Sequence, residues 1–121
     1  MAVEPDAGHR IEIATNNHRV RVIHGGITFA DTQGALTLSE SGLPDVFYFP
    51  RADVNMARLE RSAHTSHCPH KGEASYYHLR TEDGLVENAA WSYERPRERA
   101  REIAGYLAFH DARVDRIDQT S

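Results

Sequence analysis

A chain of 121 residues, 40% apolar and 26% charged, has the size and composition of one soluble domain. At this length such a domain buries about two-thirds of its unfolded surface and needs no disulfide or metal staples. Its 14 basic and 18 acidic residues leave a net charge of −4, the wrong sign for a nucleic-acid backbone or an anionic membrane surface as partner.

Residues 1–17 read as an N-terminal segment carrying a first strand, because RIEIA places Ile11 and Ile13 on one face. RVRVIH does the same with Val20 and Val22, and Gly25-Gly26 between it and ITFA predicts a two-residue hairpin turn. ALTLSE alternates ahead of the turn-like SGLPD, and VFYFP reads as a buried strand stopped by Pro50. RADVNMARLER reads as a short helical turn followed by a strand. ASYYHLRTEDGLVENAAWSY predicts an antiparallel hairpin of residues 74–81 and 85–92. With Asp83-Gly84 as the loop, Arg80 falls opposite Glu87, His78 opposite Ala89 and Tyr76 opposite Trp91, an ion pair and an aromatic pair among them.

ERPRERAREIAGYLAF predicts the one helix, with Pro96 in its first turn and Ala100, Ile103, Ala104, Leu107 and Ala108 at helical spacing. Gly105 either sits inside that helix or ends it and leaves YLAFH extended. Residues 118–121 read as a frayed tail. Seven or eight short strands and one C-terminal helix make a mainly β single domain. MAVEPDAGHR has no signal-peptide core, no run reaches membrane-spanning length, and the single cysteine, Cys68, cannot close an intrachain disulfide. The expectation is a cytoplasmic protein with no membrane partner.

The segments YFPRADV (48–54), HCPHKGEASYY (67–77), ENAAWSYERP (87–96) and IAGYLAFHDARVD (103–115), in that order, resemble the small bacterial domain of unknown function 427. RVRVIHGGITFADTQGALTLSESGLP fits that family's opening, so the resemblance spans residues 18–117. It implies a single domain over 18–117 with a small, strongly coiled β fold, tent-like and shared with some zinc-binding domains. The family is sometimes labelled nucleotidyltransferase-like, with no activity established. This chain departs from the family at His70, where an aromatic usually follows HCP, and at Tyr77, where a tryptophan is usual.

Three histidines, the only cysteine and the only lysine fall within His64 to Lys71. Structural zinc takes cysteine and histidine in fours. Here a second cysteine is missing, and adjacent His67 and Cys68 would point apart on an extended backbone. Neither a metal nor another cofactor is expected. Cys68 is a nucleophile candidate, since a thiolate near His67, His70 and Lys71 would be activated, although a small buried thiol is the commoner state. Lys71 is the second catalytic candidate, as a nucleotidyl-transfer lysine. Its following KGEA lacks the acidic residue and glycine in the order such enzymes use, and no glycine-rich phosphate loop appears anywhere.

A lone lysine among 13 arginines points to a compact ammonium being needed there. The preferred reading is a small anionic ligand in a pocket lined by the HCPHKG loop. His67, His70, Lys71, Arg51, Trp91 and Tyr93 would contact it, and Gly72 would let it approach the backbone. A Cys68 or Lys71 transferase and a non-catalytic interaction module are the alternatives. Oligomeric state is not set by the sequence.

Overall fold

The computed structural model describes residues 9–120; the first eight residues of the predicted N-terminal segment, and Ser121, lie outside them. Ten strands follow in order: β1 Ile11–Asn16, β2 Arg19–His24, β3 Ile27–Thr32, β4 Ala35–Glu40, β5 Val46–Tyr48, β6 Leu59–Cys68, β7 Gly72–Thr81, β8 Gly84–Ser92, β9 Ala108–Phe109 and β10 Arg116–Thr120. They form three antiparallel sheets, ordered β1-β4-β5, β10-β2-β3 and β6-β7-β8-β9. The chain is thus a mainly β domain. Of the predicted frayed tail 118–121, residues 118–120 belong to β10, which pairs with β2 from Arg116 opposite Ile23 to Thr120 opposite Arg19.

The predicted Gly25-Gly26 turn joins β2 to β3, with φ of 58° and 76° at the two glycines. Both fall in the left-handed region that a tight hairpin of this kind requires. Between β5 and β6 the chain takes two single 3-10 turns, Arg51–Asp53 and Met56–Arg58, in line with the helical turn and strand read there.

The β7–β8 hairpin is present, with one change of register. Its loop is Glu82-Asp83, so Thr81 faces Gly84 and Arg80 faces Leu85, not Glu87. Arg80 instead reaches Glu60 on β6 at 3.3 Å. Farther along, Glu87, Asn88 and Ala89 stand against the single residue His78. Asn88 takes φ of 52°, donates its N–H to His78 Nδ1 at 3.0 Å and accepts from Ser62 Oγ at 2.6 Å. This bulge restores the register, and Tyr76 faces Trp91 as predicted.

The predicted α-helix is a correction. Glu98–Ile103 is a 3-10 segment kinked at Ala100, where φ is −121° and ψ 20°. Gly105, at φ 77°, ends it. Leu107 then exchanges backbone hydrogen bonds with Phe49 at 2.7 and 2.9 Å, and Ala108–Phe109 becomes β9. Leu107 and Ala108 do meet the core, as the apolar spacing implies, but from an extended chain that ties two sheets together.

Strand alternation gives the third sheet two buried faces. Tyr77, Leu79 and Ala90 pack with Val20, Val22, Phe29 and Phe49 in one core. Ala74 and Tyr93 pack with Leu38, Tyr48, Ile103 and Ala108 in the other, where Cys68, Tyr76 and Trp91 rest against them. Among the described residues no helix is long and apolar enough to cross a membrane.

Candidate functional site

On the second face, β4, β5 and the loop between them stand across from β8 and β9, leaving a cleft of about 420 Å³. Its walls are aromatic and aliphatic, with Phe47, Trp91 and Leu38 among them, and its polar groups are Glu40, Asp45, Lys71, His110 and Asp111. Trp91 is set in this wall by Tyr48 and His110. Its Nε1–H donates to Tyr48 Oη at 3.2 Å. Its ring lies 90° to the Tyr48 ring, and 4.5 Å centroid to centroid from His110. Burial raises the Tyr48 hydroxyl well above its ordinary pKa, so at neutral pH it is a neutral acceptor for the indole. Burial, helped by the Arg113 charge and opposed by Asp111, lowers His110 below 6.5. The imidazole facing the cleft is therefore neutral at pH 7.

Glu40 and Lys71 lie side by side in the lining. The Lys71 ammonium donates to Glu40 Oε1, and His9 Nε2 reaches Glu40 Oε2 at 2.8 Å. Burial would raise the Glu40 carboxyl, but the hydrogen bonds from Lys71 and His9 outweigh it and hold the group below 4.5. Lys71 is itself only 9% exposed, its ammonium lying 5.9 Å from the centre of the Tyr93 ring. The lysine read from the sequence as a contact for an anionic ligand is thus one half of a shielded ion pair with Glu40.

The predicted residues divide. Lys71 and Trp91 line the cleft together, and Tyr93 lies buried beneath the ammonium. Cys68 packs partly buried against the second core, while its neighbour His67 is exposed, as alternation along β6 requires. His70 stacks on His9, with centroids 3.9 Å apart and planes within 9°, and so supports Glu40 through His9. Gly72 does not present its backbone to a ligand. At φ 110° its open side is filled by Arg97 N and Arg95 O, at 3.4 and 3.5 Å from where a Cβ would lie, and Arg97 N donates to Lys71 O at 2.8 Å. Among the described residues no three of His, Cys, Asp and Glu are grouped to hold a metal ion.

Arg51 is in another place. It lies with Arg61, Ser75, Tyr77 and Glu94, and neither arginine lines the cleft. Sequence reasoning missed this cluster, along with Glu40, Asp45, Tyr48 and His110. The β6–β7 pairing sets Arg61 opposite Tyr77, and only that register brings the second guanidinium to the first.

A sequence model of one protein family, described as a domain of unknown function (DUF427), matches residues 12–120. No curated protein matches the chain.

Proposed function

The chain belongs to the DUF427 family, and from that premise and the cleft's lining we propose that it binds a small planar ligand, neutral or cationic, with a polar edge. One observation carries the reading: the Glu40–Lys71 pair lines an otherwise largely apolar cleft that also holds Trp91. An ammonium donor beside a carboxylate acceptor matches a ligand edge that offers an acceptor beside a donor, as an amide or an amino-substituted heteroaromatic ring does. Trp91 supplies a stacking surface. The volume of about 420 Å³ lies within the roughly 300–1,000 Å³ usual for small-molecule pockets.

This reading departs from an anionic ligand. Three carboxylates, Glu40, Asp45 and Asp111, share the cleft with one ammonium, and that ammonium already serves Glu40. A phosphate or carboxylate entering here would meet net negative charge. The transferase alternative draws less support still. As an ammonium paired with a carboxylate, Lys71 has no lone pair to offer as a nucleophile. Large apolar side chains among the described residues are exposed only at Leu43 and Leu85, too scattered for the docking face of an interaction module.

Trp91 is the chain's one tryptophan, so its fluorescence reports on this cleft alone. Titration with nucleosides, amino-substituted heteroaromatics and their phosphorylated forms should change the emission with the uncharged and cationic rings and not with the phosphates. Lys71→Met and Glu40→Gln should each remove the response. A response confined to the phosphorylated compounds would overturn the reading.

A further inference from the structure

On the opposite face of the third sheet, Arg51, Arg61, Ser75, Tyr77 and Glu94 form a second polar cluster, and we infer that it is a binding site for a phosphoryl group, with Glu94 as its internal stand-in. Two guanidiniums converge on one carboxylate: Arg51 Nη2 lies 3.5 Å from Glu94 Oε2 and Arg61 Nη2 lies 3.2 Å from Glu94 Oε1. Two hydroxyls point at the same carboxylate, Ser75 Oγ at 3.4 Å from Oε1 and Tyr77 Oη at 3.5 Å from Oε2. Beneath them the buried Tyr77 ring lies under both cations, with the guanidinium carbons 5.9 and 5.6 Å from its centre.

Loose contact is the telling feature. Charge-assisted hydrogen bonds close to about 2.7–2.9 Å, and this chain makes such a pair elsewhere, where Arg19 grips both oxygens of Asp31 at 2.9 and 2.7 Å. Every contact to Glu94 is longer. Four donors from four separate chain positions surround a flat carboxylate that no one of them engages closely. Donors arriving from several directions suit the tetrahedral oxygens of a phosphoryl group better than a planar anion.

The cations are held in place independently of Glu94. Arg51 Nε donates to Gly105 O at 3.1 Å, and Arg61 Nη2 donates to Ser75 Oγ at 2.8 Å. Each guanidinium carries five N–H donors, so both keep capacity for a further oxyanion. The side chains of Arg51, Arg61 and Glu94 are 38%, 55% and 39% exposed, open enough for one anion to replace another. Two positive charges against one negative leave the cluster cationic, unlike the cleft.

The test is titration of the arginine side-chain Nε–Hε resonances, assigned with Arg51→Lys and Arg61→Lys, while Trp91 fluorescence is followed in parallel. Inorganic phosphate should shift both resonances and leave the fluorescence unchanged. Glu94→Gln should tighten phosphate binding about fivefold, the effect of removing half-exposed ion pairs that compete with the ligand. Arg61→Lys in the Glu94→Gln background should weaken it again. Ribose 5-phosphate, titrated separately, identifies an esterified ligand if it binds more tightly than phosphate and the free ion if it binds equally. Silent arginine resonances, an unchanged affinity in Glu94→Gln, acetate binding as tightly as phosphate, or a fluorescence response without arginine shifts would each overturn the inference.

Discussion

Lys71→Ala is the most informative single change. The side chains of Lys71 and Glu40 are 11% and 5% exposed, and removing the ammonium leaves Glu40 with His9 as its remaining close partner. Breaking a buried pair by deleting one member costs about 3–5 kcal/mol, because the survivor stays buried and uncompensated. Water in the cleft can reach part of this pair, which puts the expected loss near the lower figure, about 3 kcal/mol. For a domain of this size that is a drop of roughly 10–15 °C in melting temperature.

The pH dependence carries the sign. In the wild type the folded-state pKa of Glu40 lies below 4.5, so the pair's contribution is present above the unfolded value and is lost as pH falls through the folded one. In Lys71→Ala burial dominates and the folded pKa rises. The penalty is then full above that raised value and fades as the carboxyl protonates. Urea unfolding at pH 7 and pH 4 should therefore show a large gap between the two proteins that narrows on acidification. Lys71→Met with Glu40→Leu should recover most of the loss, since an apolar pair of similar volume replaces a buried ion pair at little cost. A Lys71→Ala protein within about 0.5 kcal/mol of wild type at pH 7, the usual range of a surface substitution, would refute this account of the pair.

Gly72→Ala should destabilise the protein by about 1–3 kcal/mol, the usual cost of holding a non-glycine residue in a sparsely populated backbone region; here φ is 110°, and the added Cβ would only touch the Arg95–Arg97 backbone at ordinary contact distance. Urea denaturation measures it, and an unchanged midpoint would contradict the geometry. His110, lowered below 6.5 by burial and by Arg113, stays neutral in the folded chain while the unfolded chain protonates. Stability should fall as pH drops through 6.5 and level off once the folded state also takes up the proton. Denaturation midpoints of wild type and His110→Gln between pH 8 and 5 test this, and an identical slope in both would exclude His110 as the source.

What could be read from the sequence was local. Period-two alternation located β1, β2 and β4, and two adjacent glycines located the turn after His24, because strand faces and tight turns are decided within a few residues. The Tyr76–Trp91 pair also came out correctly, although the assumed loop was one residue late. The bulge at Asn88 absorbs that error, and it depends on Ser62 and His78, which belong to other strands. The false helix has the same origin. The spacing of Ala100, Ile103, Leu107 and Ala108 shows that these residues are buried, but it does not distinguish a helical face from a 3-10 turn followed by a strand that Phe49 captures from 58 positions away.

Lys71 is the more instructive case. Its singularity among arginines singled out the position, but the exposed ammonium read there is in fact shielded against Glu40. A planar guanidinium needs room for a wide fork, whereas an ammonium fits as a point charge against one carboxylate oxygen in a confined space. The partner, Glu40, lies 31 residues earlier at the end of β4, and only the assembly of the first and third sheets brings it there. The same assembly makes the cleft. The side chain held in this tight internal pair is thus also one that the proposed ligand would meet, so the stability of Lys71→Ala and the fluorescence response of Trp91 are to be measured on the same protein.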